Sequence, residues 1–526
     1  MAPHRLSWSS FGGEAMKGSI VDLSKKNLPK NVSVEICIIG SGSGGATAAR
    51  ILAEAGHDVV VLEEGGDYTG TQLTQRDGEM YDQLYMDRAG RMDKDLSITI
   101  LQGRVLGGGG VINASDVVPI PEGVLQFWQD KHLLTDFTVE NLKPHLKQTL
   151  RDLSASRIRP DQVNLANRLL EKGSKKLGYR GEVMMHNRVN CSGFGTCLIG
   201  CPLNAKKNPR FVAIPLAMKA GARFFTRARA VRISNPTSEL KTVRIHALDS
   251  KGYHEKKAFE IRAKIVILAA NAINSTQLLL RSGIGNKHVG RYVSLQPQLP
   301  IMALFKEKVN GFRGIPQSYA VTQFEEEHNE KYGLWGFRVE GVMGTPGIVS
   351  TMIPSPGIIG KKVMTSYGHM AASLLLGPDE PTSRITLSSS KRPVIHFEHA
   401  ENHKQRMREA IKVAVRSYLE VGAAEVMVPV MPPIIIRSNA DLRQVDTLAF
   451  APATAPFISA HQQGGVRFGP SYKTGASDPD GRVYGTKDVY VFDSSGFPSS
   501  SSSHTMTPIM TISRFLTNRL LSRITP

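Results

Sequence analysis

The sequence predicts an α/β protein in which a Rossmann-like dinucleotide-binding domain is joined to an α+β domain with a largely antiparallel sheet. A strand, a glycine turn, a helix and a second strand follow one another in Val34–Gly66. Between about residues 290 and 450, prolines, methionines and short alternating strands replace this rhythm. α/β character returns near the C-terminus. The 526 residues exceed the roughly 250–300 at which one core stops growing, which indicates two domains.

The glycine turn of the first unit has the spacing G-x-G-x-x-G, with Gly40, Gly42 and Gly45 between strand and helix. The first glycine permits a tight turn, the second lets the backbone approach a pyrophosphate, and the third lets the helix pack closely on the strand. Glu63 ends the second strand at the distance where a carboxylate binds a ribose diol. The unit therefore predicts a dinucleotide site and leaves FAD and NAD both open.

A second glycine-rich segment, Leu101–Ser115, places four consecutive glycines at Gly107–Gly110 between apolar residues and Asn113. Such a run lets backbone N–H groups converge on a ligand. On these residues alone, a ligand-contacting loop and a flexible loop are equally good interpretations.

The remaining elements are predicted from periodicity and from turn residues. Residues 1–31 lack a clear period and are expected to form an extension or a packed arm. Ala263–Asn271 has the composition of a buried parallel strand. The other predicted helices are Asn141–Leu153, Ile273–Arg281 (ended by Gly283) and Met506–Leu521, and the other predicted strands are Ala222–Ile233, Thr242–Leu248, Leu299–Phe305, Tyr332–Val339, Met370–Leu376, Arg384–Leu387 and Val489–Phe492.

Two apolar, proline-broken segments of the second domain, Gly341–Ile359 and Val426–Ile436, cannot form long helices. Buried loops are the preferred interpretation. An apolar lid over a substrate entrance, or a rim that faces a membrane, is the alternative.

The excess of basic over acidic residues gives a formal net charge of +19, which favours an anionic partner or surface. The basic residues are spread along the chain and no nucleic-acid-binding motif occurs, so we expect no nucleic-acid binding. No apolar run reaches the length of a membrane-spanning helix, and the first 30 residues do not resemble a secretory signal. We expect a cytoplasmic protein and keep peripheral membrane contact open.

Four segments, taken in order, resemble the glucose–methanol–choline (GMC) family of flavoproteins. They are the glycine turn, GRVLGGGGVIN at Gly103–Asn113, VILAANAINSTQLLLRSGIG at Val266–Gly285, and a tail made of HQQGGVRFG at His461–Gly469 and DGRVYGTKDVYVFDSSGFPSSSSSHTMTPIM at Asp480–Met510. A single G-x-G-x-x-G is weak evidence. Four ordered matches over almost the whole chain identify a member of this family.

The resemblance implies FAD rather than NAD, and hence a Rossmann-like FAD-binding domain plus an α+β substrate domain. It implies that these residues bind the cofactor: Gly40, Gly42, Gly45, Glu63, Gly103, Arg104, Gly108, Gly109, Asn113, Val231 (near the adenine), Asp493 and Ser494. Gly109 and Gly110 stand where the family usually has hydroxyl residues, and Asn271 stands where it usually has glycine. These departures bear on the reactivity expected of the flavin more than on its binding. The expected domain bounds are 32–140, 186–290 and 456–526 for the FAD-binding parts, 141–185 for a helical segment at the junction, and 291–455 for the substrate domain.

His461 and His504 match the family's active-site pair. When a hydride leaves an alcohol carbon for flavin N5, the hydroxyl proton must leave too, and an imidazole is a suitable base. We expect His461 to be the base and His504 to orient the alkoxide, with the reverse assignment as the alternative.

Three of the four cysteines, Cys191, Cys197 and Cys201, are closely spaced. Three thiolates cannot complete a tetrahedral zinc site, and Cys37 lies in the first strand. In some dehydrogenases of the family such a segment holds a three-iron cluster. A packed loop without metal is preferred here, with the iron–sulfur cluster and a redox thiol or disulfide as alternatives.

The expected function is the FAD-dependent oxidation of a primary or secondary alcohol to the carbonyl. Apolar, methionine-rich segments and an aromatic content of only 7% favour a long-chain alcohol or sterol over a sugar. A lyase or fatty-acid photodecarboxylase on the same flavin fold is the alternative. The electron acceptor, whether oxygen, a quinone or a redox protein, is left open.

Overall fold

The computed structural model describes residues 18–26, 32–326, 331–332, 336–354, 357–502 and 504–524. Its strands are β1 Ile20–Asp22, β2 Val32–Ile39, β3 Val59–Leu62, β4 Arg91–Met92, β5 Ile98–Ile100, β6 Ser156–Arg157, β7 Gly181–Val183, β8 Met185–His186, β9 Arg223–Thr226, β10 Ala228–Ser234, β11 Lys241–Leu248, β12 Glu255–Leu268, β13 Gln298–Leu304, β14 Tyr319–Val321, β15 Arg338–Val342, β16 Met370–Leu376, β17 Arg384–Leu387, β18 Pro393–His396, β19 Glu425–Val428, β20 Ile434–Ile436, β21 Phe457–Ser459 and β22 Val489–Val491.

The α-helices are α1 Ser43–Glu54, α2 Asp77–Leu84, α3 Glu122–His132, α4 Val139–Asp152, α5 Leu165–Lys176, α6 Pro209–Val212, α7 Ile214–Lys219, α8 Asn271–Ser282, α9 Pro346–Thr351, α10 Ile358–Thr365, α11 Glu401–Leu419, α12 Arg443–Asp446 and α13 Met506–Ile524.

The first sheet has a parallel centre. Its order is β1-β9-β3-β2-β12-β11-β10. Strand β22 pairs with the C-terminal end of β12, on the edge away from β2. The pairs from β1 through β12, and the pair of β12 with β22, are parallel, whereas β11 and β10 extend the sheet as antiparallel strands. β2 and β3 are almost continuously apolar and buried, as expected when helices cover both faces. This is the predicted Rossmann-like arrangement.

The second sheet is largely antiparallel, as predicted. Its order is β4-β5-β21-β13-β16-β15-β14-β7, and a hairpin of β19 and β20 joins at β13. Only the β21–β5 pair is parallel. Helix α11 packs on this sheet and buries Met407, Ile411 and Val415 in its core. β4 and β5 come from the range predicted as the first FAD-binding part, and β7 from the junction segment; the domain bounds stay a prediction.

Several predicted elements differ in length from the observed ones. The predicted strand Ala263–Asn271 is the C-terminal end of the longer β12, and Ala222–Ile233 is divided into β9 and β10 at Arg227, which has φ 58°. The predicted strand Tyr332–Val339 lies partly outside the described residues. Most of the expected N-terminal arm also lies outside them, and its described part supplies β1.

The C-terminal helix α13 packs against α1, so the end of the chain supports the first glycine turn. The Ser513 hydroxyl donates to the carbonyl oxygen of Gly44 at 2.8 Å. Leu516 and Phe515 lie in the same apolar core as Ala46 and Ala49 of α1. Among the described helices, none is both long enough and apolar enough to cross a bilayer.

Candidate active site

A cavity of about 800 Å³ runs between the carboxyl ends of the central parallel strands and the second sheet. Parallel α/β sheets bind ligands at this edge. Both glycine segments and both histidines line it. The predicted cofactor and catalytic residues that border the cavity are Gly40, Gly42, Glu63, Gly103, Arg104, Gly108, Gly109, Asn113, His461, Asp493, Ser494 and His504.

The glycine turn has the geometry that its G-x-G-x-x-G spacing predicts. Gly40 has φ 104°, and a Cβ there would lie 2.2 Å from the carbonyl oxygen of Ala269. A Cβ on Gly45 would lie 1.9 Å from the carbonyl oxygen of Gly40, so this residue permits close packing and does not line the cavity. Gly42 faces the cavity, and α1 begins beside it without a side-chain cap. A helix N-terminus of this kind attracts phosphate groups.

The second glycine segment lies against the first. A Cβ on Gly108, which has φ 60°, would lie 2.7 Å from Cα of Gly42, whereas a Cβ on Gly109 would meet nothing within 4 Å. Arg104 donates to the carbonyl oxygen of Gly252 at 2.8 Å and lies over the ring of Tyr253. The Asn113 amide nitrogen lies 3.3 Å from Sδ of Met506. The segment thus forms a second wall opposite the glycine turn.

Glu63 is buried at the end of β3 and is held by the turn itself. Its carboxylate accepts hydrogen bonds from the Ser41 hydroxyl at 2.6 Å and from the backbone N–H of Gly65 at 2.8 Å. Burial raises the pKa of Glu63, and these hydrogen bonds oppose that effect. The carboxylate is therefore oriented toward the turn and borders the cavity at the position predicted for a ribose contact.

The tail supplies Asp493, which is buried and accepts hydrogen bonds from Ser275 Oγ at 2.6 Å and from the Ser495 backbone N–H at 2.9 Å. Val231 does not border the cavity; β10 presents Ala228, Arg229 and Ala230 there instead. The register of β10 shifts between Ala230 and Arg232, on either side of Val231. The adenine contact of Val231 stays a prediction.

Asn271 explains one departure from the family pattern. It has φ 78°, a left-handed conformation that glycine adopts freely and asparagine tolerates better than most residues. Its amide nitrogen donates to the Gln462 side chain at 3.0 Å. The substitution therefore preserves the backbone turn that opens α8.

The two histidines lie together at the second-sheet side of the cavity. Their ring centroids are 4.9 Å apart and the rings are nearly perpendicular, at 81°. Nδ1 of His461 lies 3.0 Å from the Gln296 amide oxygen and 3.0 Å from the Gln298 amide nitrogen. Among the described residues, Nε2 of His461 makes no hydrogen bond. When Nδ1 donates to Gln296, Nε2 is the basic nitrogen.

Glu340, which the sequence reasoning missed, forms an ion pair with His504. His504 Nε2 lies 3.0 and 3.1 Å from the two Glu340 carboxylate oxygens. Glu340 is fully buried. Nε of Arg338 lies 2.9 Å from its carboxylate oxygen Oε1, and the side-chain amide of Gln317 donates a hydrogen bond to Oε2. An acidic residue in the apolar strand RVEGV was the signal that could have identified it.

The pKa values of the two histidines shift in opposite directions. Burial lowers the pKa of His504, but the charge and hydrogen bond of Glu340 outweigh burial, so the pKa is raised overall. Burial and the neighbouring His504 charge lower the pKa of His461 to about 3. These shifts favour a charged His504 that donates to Glu340, and a neutral His461 whose Nε2 carries no proton when Nδ1 donates to Gln296.

The three cysteines border one small cavity beside Arg188. The backbone N–H of Gly193 donates to Cys191 at 3.4 Å, and Arg188 donates to Cys197 at 3.7 Å. Across the described ranges, no group of three or more His, Cys, Asp or Glu residues is arranged to hold a metal ion. The thiols are free, and the packed loop without metal stays a prediction.

Family models described as GMC oxidoreductase match residues 38–298 and 378–513. The chain belongs to the GMC oxidoreductase family. Both glycine segments lie in the first matched range and both histidines in the second.

This GMC oxidoreductase is similar along nearly its whole length to other members. It is 28% identical to an uncharacterized GMC-type oxidoreductase of Mycobacterium tuberculosis, over 94% of this chain and 77% of that protein. It is 24% identical to a long-chain-alcohol oxidase of Arabidopsis thaliana, over 97% and 71%. The crystal structure of pyridoxine 4-oxidase from Mesorbium loti superposes with a TM-score of 0.69 at 16% identity, over 92% and 99%; this likeness shows the fold.

Proteins of this family are FAD-binding flavoproteins, and FAD is the cofactor of this oxidoreductase. The chain's own residues fit the group. The uncapped start of α1 suits a pyrophosphate, and side chains at Gly40 and Gly108 would collide with the backbone that encloses the cavity. A buried carboxylate at Glu63 suits a ribose diol.

Proposed function

We propose that this GMC oxidoreductase oxidises an apolar primary or secondary alcohol to the carbonyl compound, with His461 as base and His504 as hydrogen-bond donor to the alcohol oxygen. The observation that carries the proposal is the asymmetry of the histidine pair: one imidazole is neutral and the other is paired with a buried carboxylate. Bound FAD supplies a hydride acceptor. Proton removal is the task left to the protein.

The two histidines divide that task. Nε2 of His461 is free to accept the hydroxyl proton, and the ring is held by its Nδ1–H, which donates to the Gln296 amide oxygen. Cationic His504 stabilises negative charge as it develops on the alcohol oxygen. General-base catalysis of this kind typically contributes about 10²–10⁴ in rate.

An apolar substrate is supported by the wall of the cavity on the second-sheet side. Met302, Val342, Met343 and Met370 line it from strands and their connections, Ile348 and Val349 line it from α9, and Met352 lines it directly after that helix. Residues 342–352 therefore contribute to the cavity wall. Burying a hydrocarbon chain or ring system against such a wall is favourable by about 25 cal/mol of transfer free energy per Å² of apolar surface removed from water.

Membrane contact belongs to the same proposal. Ile358 and Ile359 are 87% and 44% exposed at the start of α10, and Lys361 and Lys362 follow on the exposed part of that helix. We propose that this rim, Ile358–Lys362, rests on a membrane surface from which apolar alcohols enter. Ile358→Asp should reduce co-sedimentation with vesicles of phosphatidylcholine and phosphatidylglycerol, with Leu203→Asp, an exposed leucine elsewhere, as the control; equal sedimentation of both variants and wild type would refute the membrane proposal.

The decisive experiment is anaerobic mixing of the purified flavoprotein with a panel of alcohols while the flavin absorption band is followed. Bleaching by 1-decanol or a sterol, and not by glucose, is expected. Carbonyl release without bleaching would replace this proposal by a lyase, and light-dependent CO2 release from a fatty acid by a photodecarboxylase. Reoxidation of the bleached protein by oxygen, compared with a quinone, then distinguishes oxidase from dehydrogenase.

A further inference from the structure

Asp116 is a buried carboxylic acid at the active-site cavity for which the histidine mechanism has no use. It follows the second glycine segment, is 3% exposed and borders the cavity together with His504, Gln317 and Gln298. Neither of its carboxylate oxygens has a hydrogen-bond partner among the described residues. A buried polar group without a partner costs folding free energy, so such a residue requires an explanation.

The cations near Asp116 are engaged elsewhere. His504 directs Nε2 to Glu340, and Arg338 pairs with Glu340 and Glu325. Arg188 donates to the carbonyl oxygen of Ala114 and lies 3.4 Å from the ring of His186. The charged groups near Asp116 are therefore four cations, His504, Arg188, Arg338 and Lys206, and the acid Glu340, and none of them forms a hydrogen bond with its oxygens within the part of the chain described.

We propose that the Asp116 carboxylate accepts a hydrogen bond from a second hydroxyl group of the substrate, one or two carbons from the carbinol that is oxidised. This inference rests on the proposed alcohol oxidation and narrows its substrate class to apolar 1,2- or 1,3-diols. A neutral donor fits better than an ammonium group. The acids Asp116, Glu340 and Glu325, the last only half-buried, already face the cations His504, Arg188, Arg338 and Lys206.

The location of the carboxylate supports this assignment. Asp116 and His504 border the same cavity, and the charge of His504 opposes the rise in the pKa of Asp116. The apolar wall of the cavity would hold the rest of the molecule. A carboxylate is a stronger acceptor than a neutral carboxyl group, and burial raises the pKa of Asp116 to about 7 against the charge of His504.

The test compares decane-1,2-diol with 1-decanol in the FAD-loaded protein, with anaerobic flavin reduction as the signal. Wild type should prefer the diol in kcat/KM on the order of 10- to 100-fold, the value of one hydrogen bond to a charged group. The preference should increase as the pH rises through about 7. Both compounds depend equally on the histidine pair, so the ratio cancels its titration.

Asp116→Asn should abolish the preference and its pH dependence, mainly through KM, while 1-decanol is still oxidised. Asp93→Asn is the matched control, since Asp93 is equally buried but caps the turn before β5 through the N–H groups of Ser97 and Ile98. It should destabilise the fold and keep the preference. An unchanged preference in Asp116→Asn overturns this inference alone; flavin that neither compound reduces overturns the proposed function and this inference with it.

Discussion

At the scale of single residues, the chemistry proposed for this GMC oxidoreductase rests on the environments of two histidines. His461 is buried among amide groups and His504 is paired with a buried acid, so the pKa values of two identical side chains shift in opposite directions. Divergent pKa values within one site are a common sign of acid and base functions.

Replacing His461 by alanine should slow anaerobic flavin reduction by about 10²–10⁴, because the base is lost. FAD content and thermal stability should change little by comparison, since the cavity wall keeps its backbone. Rapid mixing with a substrate alcohol measures the rate. His399→Ala is the matched control: this half-buried histidine contacts His403 outside the cavity, and its replacement should leave the rate intact. A full rate in His461→Ala would refute the base assignment.

The pH dependence tests His504. With a base of pKa about 3, the rate should reach its plateau on the acid side well below pH 6 and decline on the alkaline side when His504 loses its proton. Glu340→Gln removes the main charge that raises the pKa of His504, so the alkaline decline should move to lower pH. The limiting rate of flavin reduction as a function of pH measures this.

Glu325→Gln is the comparison for that experiment. Glu325 acts on Arg338 rather than on His504 directly, so its removal should leave the alkaline decline near the wild-type position. An alkaline limb that is the same in wild type and in Glu340→Gln would mean that His504 is not the titrating group.

At the scale of elements, two facing glycine segments form the walls predicted to hold the cofactor. Gly108 and Gly109 are neighbours with different constraints: a Cβ on the first would lie 2.7 Å from Gly42, and one on the second would be free. These two adjacent positions therefore allow a test of sterics. At Gly108 the close approach of another backbone excludes a side chain, whereas at Gly109 a side chain would have room.

Gly108→Ala should lose FAD and destabilise the fold by more than about 1 kcal/mol, because φ is positive and the backbone of Gly42 stands in the way. Gly109→Ala should retain FAD and change stability by less than about 0.5 kcal/mol. Flavin absorbance per protein and denaturant unfolding measure both effects. Equal FAD loss in the two variants would contradict the steric explanation.

At the scale of the whole molecule, the C-terminal helix connects distant parts of the chain. α13 follows the loop that carries His504 and packs on α1, whose N-terminus forms the glycine turn. The packing places the tail that carries His504 and the glycine turn on one apolar core.

Shortening a buried side chain of α13 should therefore affect both the tail and the glycine turn. Leu516 is 1% exposed, and Leu516→Ala should cost about 2–5 kcal/mol of unfolding free energy and weaken FAD retention. Leu165→Ala, at a leucine that is 48% exposed in α5, should cost less than about 0.5 kcal/mol. Chemical denaturation with and without added FAD measures both variants; a destabilised Leu516→Ala that binds FAD as tightly as wild type would show that the tail does not support the turn.

Local patterns were sufficient for the parts of the fold that local chemistry determines. The glycine turn, the apolar strands β2 and β22 and the helix α13 depend on short-range sterics and periodicity, so the sequence predicts them well. The family resemblance added FAD and the two histidines, whose roles stay predictions. The bulge at Val231 could not be predicted, because nothing in the letters ARAVRI marks where the register of β10 shifts.

The sequence by itself determined the Rossmann-like unit and the antiparallel second sheet, because these follow from spacing along the chain, and its resemblance to the GMC family indicated the class of flavoprotein. Only the tertiary structure decided which partners the histidines have. Glu340 lies 164 residues from His504, and Gln298 lies 163 residues from His461. Contacts at such separations depend on how the two sheets pack, and so do the burial and the missing partners of Asp116. The charge state of this active site is therefore a property of the folded molecule.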